Sequence, residues 1–390
     1  MKYLIALLIL FMLIPFPALA GDEMQINKLI QSGNGIVKLE SKNYIIENPI
    51  IMKSNTVLLG TGQTTFTLKS GVKWDLWVPV IKGTNLQNIR IAYINLDMNC
   101  DNQTVKYGLG YHNGIFLVGC SNVEIDHCSL INGKGDGARF KTCSNLKIHD
   151  NRAKRLGHDC IYIVDCKNAT IINNKVTTRT NSGIRDWNSI NVLIQGNTID
   201  AQQDGYGGYG GMQIEYSKFF DNPKVEICRN IMTNTQGPGI QLIAYGNGLK
   251  IKKGINIRQN QFIQTGVSTS IKDAGGISII GLKGASISNN VGDGCYNAFL
   301  VVMSGGESST VKNNIITNTR PHNIIRPAGT GYGISNRAGT SFIIDSNCFW
   351  NNENGDLYKC TAKNSDLKDP KTHTTSSGWK WSSGKWVFKK

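Results

Sequence analysis

The sequence predicts an all-β chain, wound as a parallel β-helix (a solenoid) of about ten coils with terminal caps. Three observations predict it. The composition is rich in Gly, Asn, Ile and Val and poor in Leu, Ala and Glu, a mixture that favours strands and turns over helices. Four segments align without gaps: "SNVEIDHCSLI" from Ser121, "SNLKIHDNRAK" from Ser144, "KNATIINNKVT" from Lys167 and "INVLIQGNTID" from Ile190. Their equivalent residues Cys128, Asn151, Asn174 and Asn197 are 23 apart each time. Finally, each unit holds a second short strand opened by Gly, such as "DGARFK" from Asp136, whose apolar and polar residues alternate with period two.

The elements follow in order along the chain. Residues 1–20, one Lys and a long apolar run ending Ala18-Leu19-Ala20, read as a secretory signal peptide cleaved before Gly21. No later stretch is long and apolar enough to span a membrane, so the expected location is secreted or cell-surface. The helical solenoid is expected over 21–358, with "MQINKLIQSG" from Met24 as a short amphipathic cap helix. "NTVLLGTGQTTF" from Asn55 and "NIRIAYINLDMNCDN" from Asn88 form the opening coils. The Asn-ended strand returns at Asn230, Asn260, Asn290, Asn314 and Asn347, with spacings of 24 to 33 that signal insertions. The recurring Asn predicts a turn ladder, because Asn tolerates left-handed backbone and its amide can bond the Asn on the coils above and below. Residues 359–390, rich in Trp and Lys, are expected to pack as a cap or tail.

The formal charge is +15. On an exported chain that suggests an acidic partner, with acidic polysaccharide the extracellular candidate and nucleic acid excluded. Of the ten cysteines, Cys120, Cys143 and Cys166 recur every 23 residues, as a repeat position filled by a small apolar side chain does. Cys348 and Cys360 make the favoured disulfide pair. No CxxC and no His/Cys metal spacing occurs.

Alignment of the coils assigns each side chain to a face. Ile115, Ala138, Ile161, Ile184, Met212 and Ile240 form a core column. One residue on, Phe116, Arg139, Tyr162, Arg185, Gln213 and Gln241 point outward, and two further on so do Lys141, Trp187 and Glu215. Guanidinium forks and aromatic rings on one sheet face suit an acidic sugar chain, since forks bind carboxylates and rings stack on sugars. The turn before these strands reads Asn113, Asp136, Asp159, Ser182, which makes Asp136 and Asp159 neighbours close enough for like-charge repulsion. His158 sits beside them, and Arg155, Arg179 and Arg185 fall near the same edge. A bland reading remains for the aspartates, because Asp before Gly also simply makes a turn. Asp186 breaks the pattern: its column is otherwise Leu117, Phe140, Ile163, Ile214 and Leu242. A carboxylate there must be paired or re-aimed by a bulge, which makes it a substrate-binding or supporting candidate. "DGYGGYGG" from Asp204 reads as a substrate-covering insertion with Tyr206 and Tyr209 as contacts.

The strings "GHDCIYIVDCKNATIINNKVTTRTNSGIRDWNS", "GGMQIEY", "TQGPGIQLIAYG" and "DAGGISII", with the ending "NCFWNNENGDLYKC…SSGWKWSSGKWVFK", resemble the disaggregatase family of methanogenic archaea. The likeness runs from about residue 90 onward. It implies a pectate-lyase-like, right-handed helix and an exported enzyme that cuts a chondroitin-like wall polymer of glucuronate and galactosamine. The polygalacturonase signatures Asn-Thr-Asp and Gly-His-Gly are missing. The sequence therefore points to glycoside hydrolysis or β-elimination, with Asp136 and Asp159 as acid/base carboxylates and His158 as a proton-transferring neighbour. Arg139, Arg155, Arg179 and Arg185 would hold substrate carboxylates, and Tyr162, Asp186, Gln213, Glu215 and Gln241 would line the groove. This chemistry needs no cofactor, although one Asp-bound calcium and a homo-oligomer are both compatible with the sequence. The alternatives are a non-catalytic surface protein that organises wall polysaccharide and, less favoured by the signal peptide, a viral receptor-binding spike.

Overall fold

Backbone groups decide this architecture, because each coil must satisfy its N–H and C=O groups from the coils on either side. The computed structural model describes residues 21–33, 35–201, 210–268, 271–322 and 327–389. The signal segment, together with Tyr206 and Tyr209 of the Gly/Tyr insertion, lies outside the described residues. One sheet stacks twelve parallel strands, from Ile50–Ile51 through Ala138–Lys141 and Ile161–Val164 to Gly355–Tyr358. A second sheet of 22 strands takes two strands from most coils, as in Ser144–His149 and Arg152–Lys154. The register follows the repeat: Ala138 pairs with Ile115 and Ile161, Ile184 with Ile161 and Met212, and Met212 with Ile240.

Inward columns fill the space between the sheets with Ile, Val and Leu and with the fully buried rings of Phe66, Phe140, Phe262, Phe299 and Phe349. At the N-terminal end a helix, Glu23–Ser32, turns Ile26 and Ile30 onto the first coil. It is fastened by polar bonds: the Glu23 carboxylate accepts from the Glu47 N–H at 3.1 Å and the Asn48 amide at 2.9 Å. The exposed edge of the first coil is thereby covered, which blocks edge-to-edge pairing.

The Asn column forms the expected ladder, deep inside the turn. The Asn151 N–H and Nδ2 both donate to Asn174 Oδ1, Asn174 does the same to Asn197, and the chain of bonds continues through Asn230, Asn260, Asn290 and Asn314 to Asn347. The left-handed backbone belongs to the residue before each of these, for example Asp150, Asn173 and Asn289. A second, exposed ladder runs through Asn55, Asn88, Asn122, Asn145, Asn168 and Asn191, and these Asn residues do carry positive φ. The two properties credited to one column thus divide between two.

All ten cysteines are free thiols, nine of them buried, so the expected Cys348–Cys360 disulfide is not present. Cys348 instead faces outward beneath the C-terminal hairpin, Trp379–Ser382 with Lys385–Phe388. That hairpin lies along the flank of the solenoid rather than across its end. Trp379 and Trp386 cover the outward apolar column Val291, Ile315 and Cys348, and their indoles donate to the Asn289 carbonyl and the Asp293 carboxylate.

Replacing Asn174 by Ala strands buried partners on two coils, and we expect a loss of at least about 2 kcal/mol in denaturant-induced unfolding. The same change at exposed Asn168 should stay within about 0.5 kcal/mol.

Candidate functional site

The turn column of the twelve-stranded sheet forms a third ladder. Its bonds run in the opposite sense to those of the buried Asn column, each N–H donating to the preceding coil: the Asp136 N–H donates to Asn113 Oδ1 at 2.9 Å, the Asp159 N–H to Asp136 Oδ1 at 3.1 Å, and the Ser182 N–H to Asp159 Oδ1 at 3.0 Å. Both aspartates are fully buried. Two of the four rungs are therefore carboxylates, and their charge must be matched within the protein.

Three cations match it. Arg139 Nη1 donates to Asp136 Oδ2 at 3.2 Å. His158 Nδ1 lies 2.6 Å from Asp136 Oδ1 and 3.1 Å from Asp159 Oδ2. Arg185 Nη1 lies 3.6 Å from Asp159 Oδ2, while its Nη2 donates to Glu215 Oε2 at 2.7 Å. Asp136, Asp159 and Glu215 against Arg139, Arg185 and a protonated His158 make a neutral set. Burial pulls the His158 pKa down, but the hydrogen bonds and charges of Asp136 and Asp159 outweigh it and push it up to about 9. The far nitrogen of the ring, Nε2, lies 3.3 Å from the Asn181 amide on the open side, where the histidine side chain keeps 16% exposure. A protonated ring needs an acceptor there, and a half-turn of the Asn181 amide supplies its oxygen.

The predicted residues divide sharply by position. Tyr162 is 1% exposed and sandwiched between two guanidiniums, with Arg139 Cζ 4.3 Å and Arg185 Cζ 4.9 Å from its ring. It separates two like charges and is covered by them, so it does not line a groove. Asp186 is a correction. Its strand stays in register without a bulge, between Ile163 and Ile214, and the side chain is fully buried inside the solenoid. Among the described residues no arginine pairs with it; it accepts the Ser189 N–H at 3.1 Å, and burial pushes its pKa up to about 7. Arg155 and Arg179 serve an insertion instead of the sheet face. Arg155 bonds the Asp101 carboxylate at 3.2 Å and Asn132 at 3.1 Å, and buried Arg179 stacks under Tyr107 beside Cys100. Gln241 donates to Asp273 at 2.7 Å, and Gln213 to Glu215 at 3.4 Å.

Sequence reasoning missed Trp77. An insertion in an early coil brings its ring over Arg139, at 5.0 Å, and against Phe116, and its N–H is tied to Gly110 of the next insertion. The cluster "WDLW" within a coil of irregular length was the available signal. Asp136, His158 and Asp159 offer ligand atoms within 4.8 Å of one another. Calcium prefers six to eight oxygens, and a site carrying an imidazolium and two guanidiniums does not suit it.

A model described as the right-handed beta helix region matches residues 22–199 and 113–292, so its two matches together cover more than half of the chain. The chain belongs to the right-handed β-helix family. A second model, described as disaggregatase related, matches residues 222–388, in line with the resemblance carried by the sequence strings. No curated protein matches the sequence. Among solved structures, the A-module of a mannuronan C-5 epimerase from Azotobacter vinelandii is similar over 90% of this chain and 96% of its own, at 14% identity and a TM-score of 0.51. An exopolygalacturonase from Thermotoga maritima is similar over 88% of this chain and 86% of its own, at 12% identity and a TM-score of 0.52. At such identities the likeness is one of fold. Among the described residues no helix is long and apolar enough to cross a membrane.

Asp186 gives the fold a pH dependence of known sign. Its folded pKa of about 7 exceeds the unfolded value of about 3.9, so its contribution is full below pH ~4 and is lost as pH rises through ~7. Asp186→Asn should remove that slope and leave the variant roughly 1–4 kcal/mol more stable than the parent at pH 8, read from denaturant melts.

Proposed function

We propose that the protein acts on an acidic, uronate-containing polysaccharide outside the cell, with His158 as its proton-transferring group. One observation carries this: a neutral network of six ionisable groups is gathered on the sheet face at the coils of Asp136, Asp159, Arg185 and Glu215. His158 and Arg185 are its most exposed members, while Asp136 and Asp159 are fully enclosed. Burying six charges is costly, and apolar residues of similar size would fill the same space. The basic charge of the chain favours an anionic partner. Two of the similar structures are named for action on mannuronan and on polygalacturonate, both polyuronates.

On this geometry we reassign the roles expected from sequence. Asp136 and Asp159 are enclosed, so they act through His158: their carboxylates hold Nδ1 and keep the ring charged, which leaves Nε2 to meet the substrate. Arg185, with 15% side-chain exposure and steered by Glu215, is the cation best placed to receive a uronate carboxylate, with Gln213 beside it. A protonated imidazole suits donation to a leaving glycosidic oxygen, whereas a neutral one suits removal of the α-proton of a uronate.

A second reading, a surface protein that binds polysaccharide without cutting it, is favoured by the ladder itself. Asp136 and Asp159 already have a structural task in capping backbone N–H groups of the next coil.

Incubation with a chondroitin polymer separates these readings when product size and ultraviolet absorbance are followed together. Shortening without absorbance marks hydrolysis and shortening with it marks β-elimination, while retention on the polymer without shortening supports the binder; no retention and no shortening would overturn the proposal. With His158 as acid the rate should hold up to pH ~9 and then fall; with His158 as base it should climb toward pH ~9. His158→Gln should lower kcat by roughly 10²-fold or more and, because it leaves Asp136 and Asp159 short of one cation, should also lower the melting temperature, so the rate is compared at a temperature where circular dichroism shows the variant folded.

A further inference from the structure

Two consecutive turns at the far edge of the same sheet are longer than their neighbours. Five coils close this corner in two residues, as at Thr142, and others in four to six, but after Tyr216 and after Ala244 the chain makes the longer excursions 217–224 and 245–254. They present apolar side chains to solvent. Phe219, Tyr245 and Leu249 are 51%, 40% and 44% exposed. Phe220 packs edge-on against the buried Tyr216 ring at 5.8 Å, which accounts for Phe219 facing the other way. Phe219 and Leu249 line one surface hollow together with Lys250 and Lys252.

The charge of these excursions is one-sided: Lys218, Lys224, Lys250, Lys252 and Lys253 stand against a single aspartate, Asp221. Lys218 is paired to Asp165 and Lys253 to Asp221, whereas Lys224, Lys250 and Lys252 face solvent without a carboxylate in ion-pair range among the described residues. The patch also joins the site already described. The Tyr245 N–H donates to the carbonyl of Tyr216 at 3.0 Å, and the adjacent Glu215 holds Arg185 at 2.7 Å, which in turn faces Asp159. A track thus crosses the sheet diagonally, from His158 through Arg185 and Glu215 to Tyr245. Along the axis it spans three coils, about 14 Å, or several sugar residues.

We infer that excursions 217–224 and 245–254 form a secondary subsite for the same anionic polysaccharide, with sugar rings stacked on Phe219 and Tyr245 and uronate carboxylates drawn to Lys250 and Lys252. The inference rests on the proposed substrate class and adds where the chain is held away from His158. Exposed rings supply stacking area at low entropic cost, and unpaired ammonium groups supply charge complementarity. A solvated lysine loop alone would not need three large apolar side chains turned to water beside it.

The test is binding of chondroitin tetrasaccharide and of long chondroitin polymer, at low and at 0.5 M salt, to the parent and to three variants: Phe219→Ala/Tyr245→Ala, Lys250→Glu/Lys252→Glu and Arg185→Ala. Both loop variants should lose about tenfold in affinity for the polymer while keeping the tetrasaccharide within about twofold. Arg185→Ala should weaken both ligands, and salt should weaken polymer binding to the parent more than to the lysine variant. Loop variants that hold the polymer as tightly as the parent, while Arg185→Ala does not, would overturn the subsite and leave the substrate reading intact. A parent protein that holds neither ligand would overturn the substrate reading and the subsite with it. The side chains substituted in the two loop variants are exposed, so unchanged circular dichroism and melting temperature are expected for them, whereas Arg185→Ala breaks a largely buried ion pair and is measured at a temperature where circular dichroism shows it folded.

Discussion

The fold depends on one constraint: at the turns of successive coils a backbone N–H points along the solenoid axis and must find an acceptor on a neighbouring coil. Side-chain oxygens supply it, in columns. The buried column from Asn151 to Asn347 does this with neutral amides, whose Nδ2 groups also reach carbonyls on the preceding coil, as from Asn174 to Ile148. An amide fits the task because it donates and accepts at once and brings no charge into the interior. Repetition of the bond fixes the spacing of the coils, which sets the register of the sheets and the alignment of the apolar columns.

The site arises where this scheme changes chemistry. In the column Asn113, Asp136, Asp159, Ser182 backbone N–H groups are again capped by side-chain oxygens, here of the preceding coil, but two of the capping groups are carboxylates. A carboxylate accepts as well as an amide but adds a buried charge and cannot donate. The compensation is visible in the neighbouring side chains: Arg139 and Arg185 from the sheet face, His158 from the turn, and Tyr162 between the two guanidiniums. Structure and chemistry are thus one arrangement, and a charged His158 follows from the ladder. The contrast with Asp186 is instructive, because that carboxylate is equally buried but has no cationic partner among the described residues, and its pKa moves up to about 7 instead.

Much of this was legible in the sequence. The 23-residue spacing put Ala138 beside Ile161 and Arg139 beside Tyr162, and the strands pair in that register. The family resemblance, read in part from "TQGPGIQLIAYG" and "DAGGISII", agrees with the disaggregatase-related match over residues 222–388. Less legible was which outward residues meet solvent. A column assigns a side chain to a face, but Tyr162 is covered by its own neighbours and Arg179 by Tyr107, contacts that depend on insertions such as the one carrying Trp77. The outward apolar residues Val291, Ile315 and Cys348 did carry a signal of the flanking hairpin, since an outward column is otherwise polar. Cys348 was open to a disulfide reading because an exported chain favours one, whereas its place in that column makes it a small apolar contact for tryptophan. Asp186 broke the pattern for a local reason, the capping of Ser189, which spacing could not separate from a role at the surface.

The central claim is that the carboxylate rungs of the ladder hold His158 charged. An NMR pH titration of the His158 ring, in the parent and in Asp136→Asn/Asp159→Asn, tests it most directly. The amide rungs can still accept the backbone N–H groups, so the variant should remain folded. The account predicts a parent pKa of about 9 that falls by roughly two units or more in the variant. A parent ring that titrates near the ordinary histidine value, or a pKa unmoved by the double substitution, would contradict it.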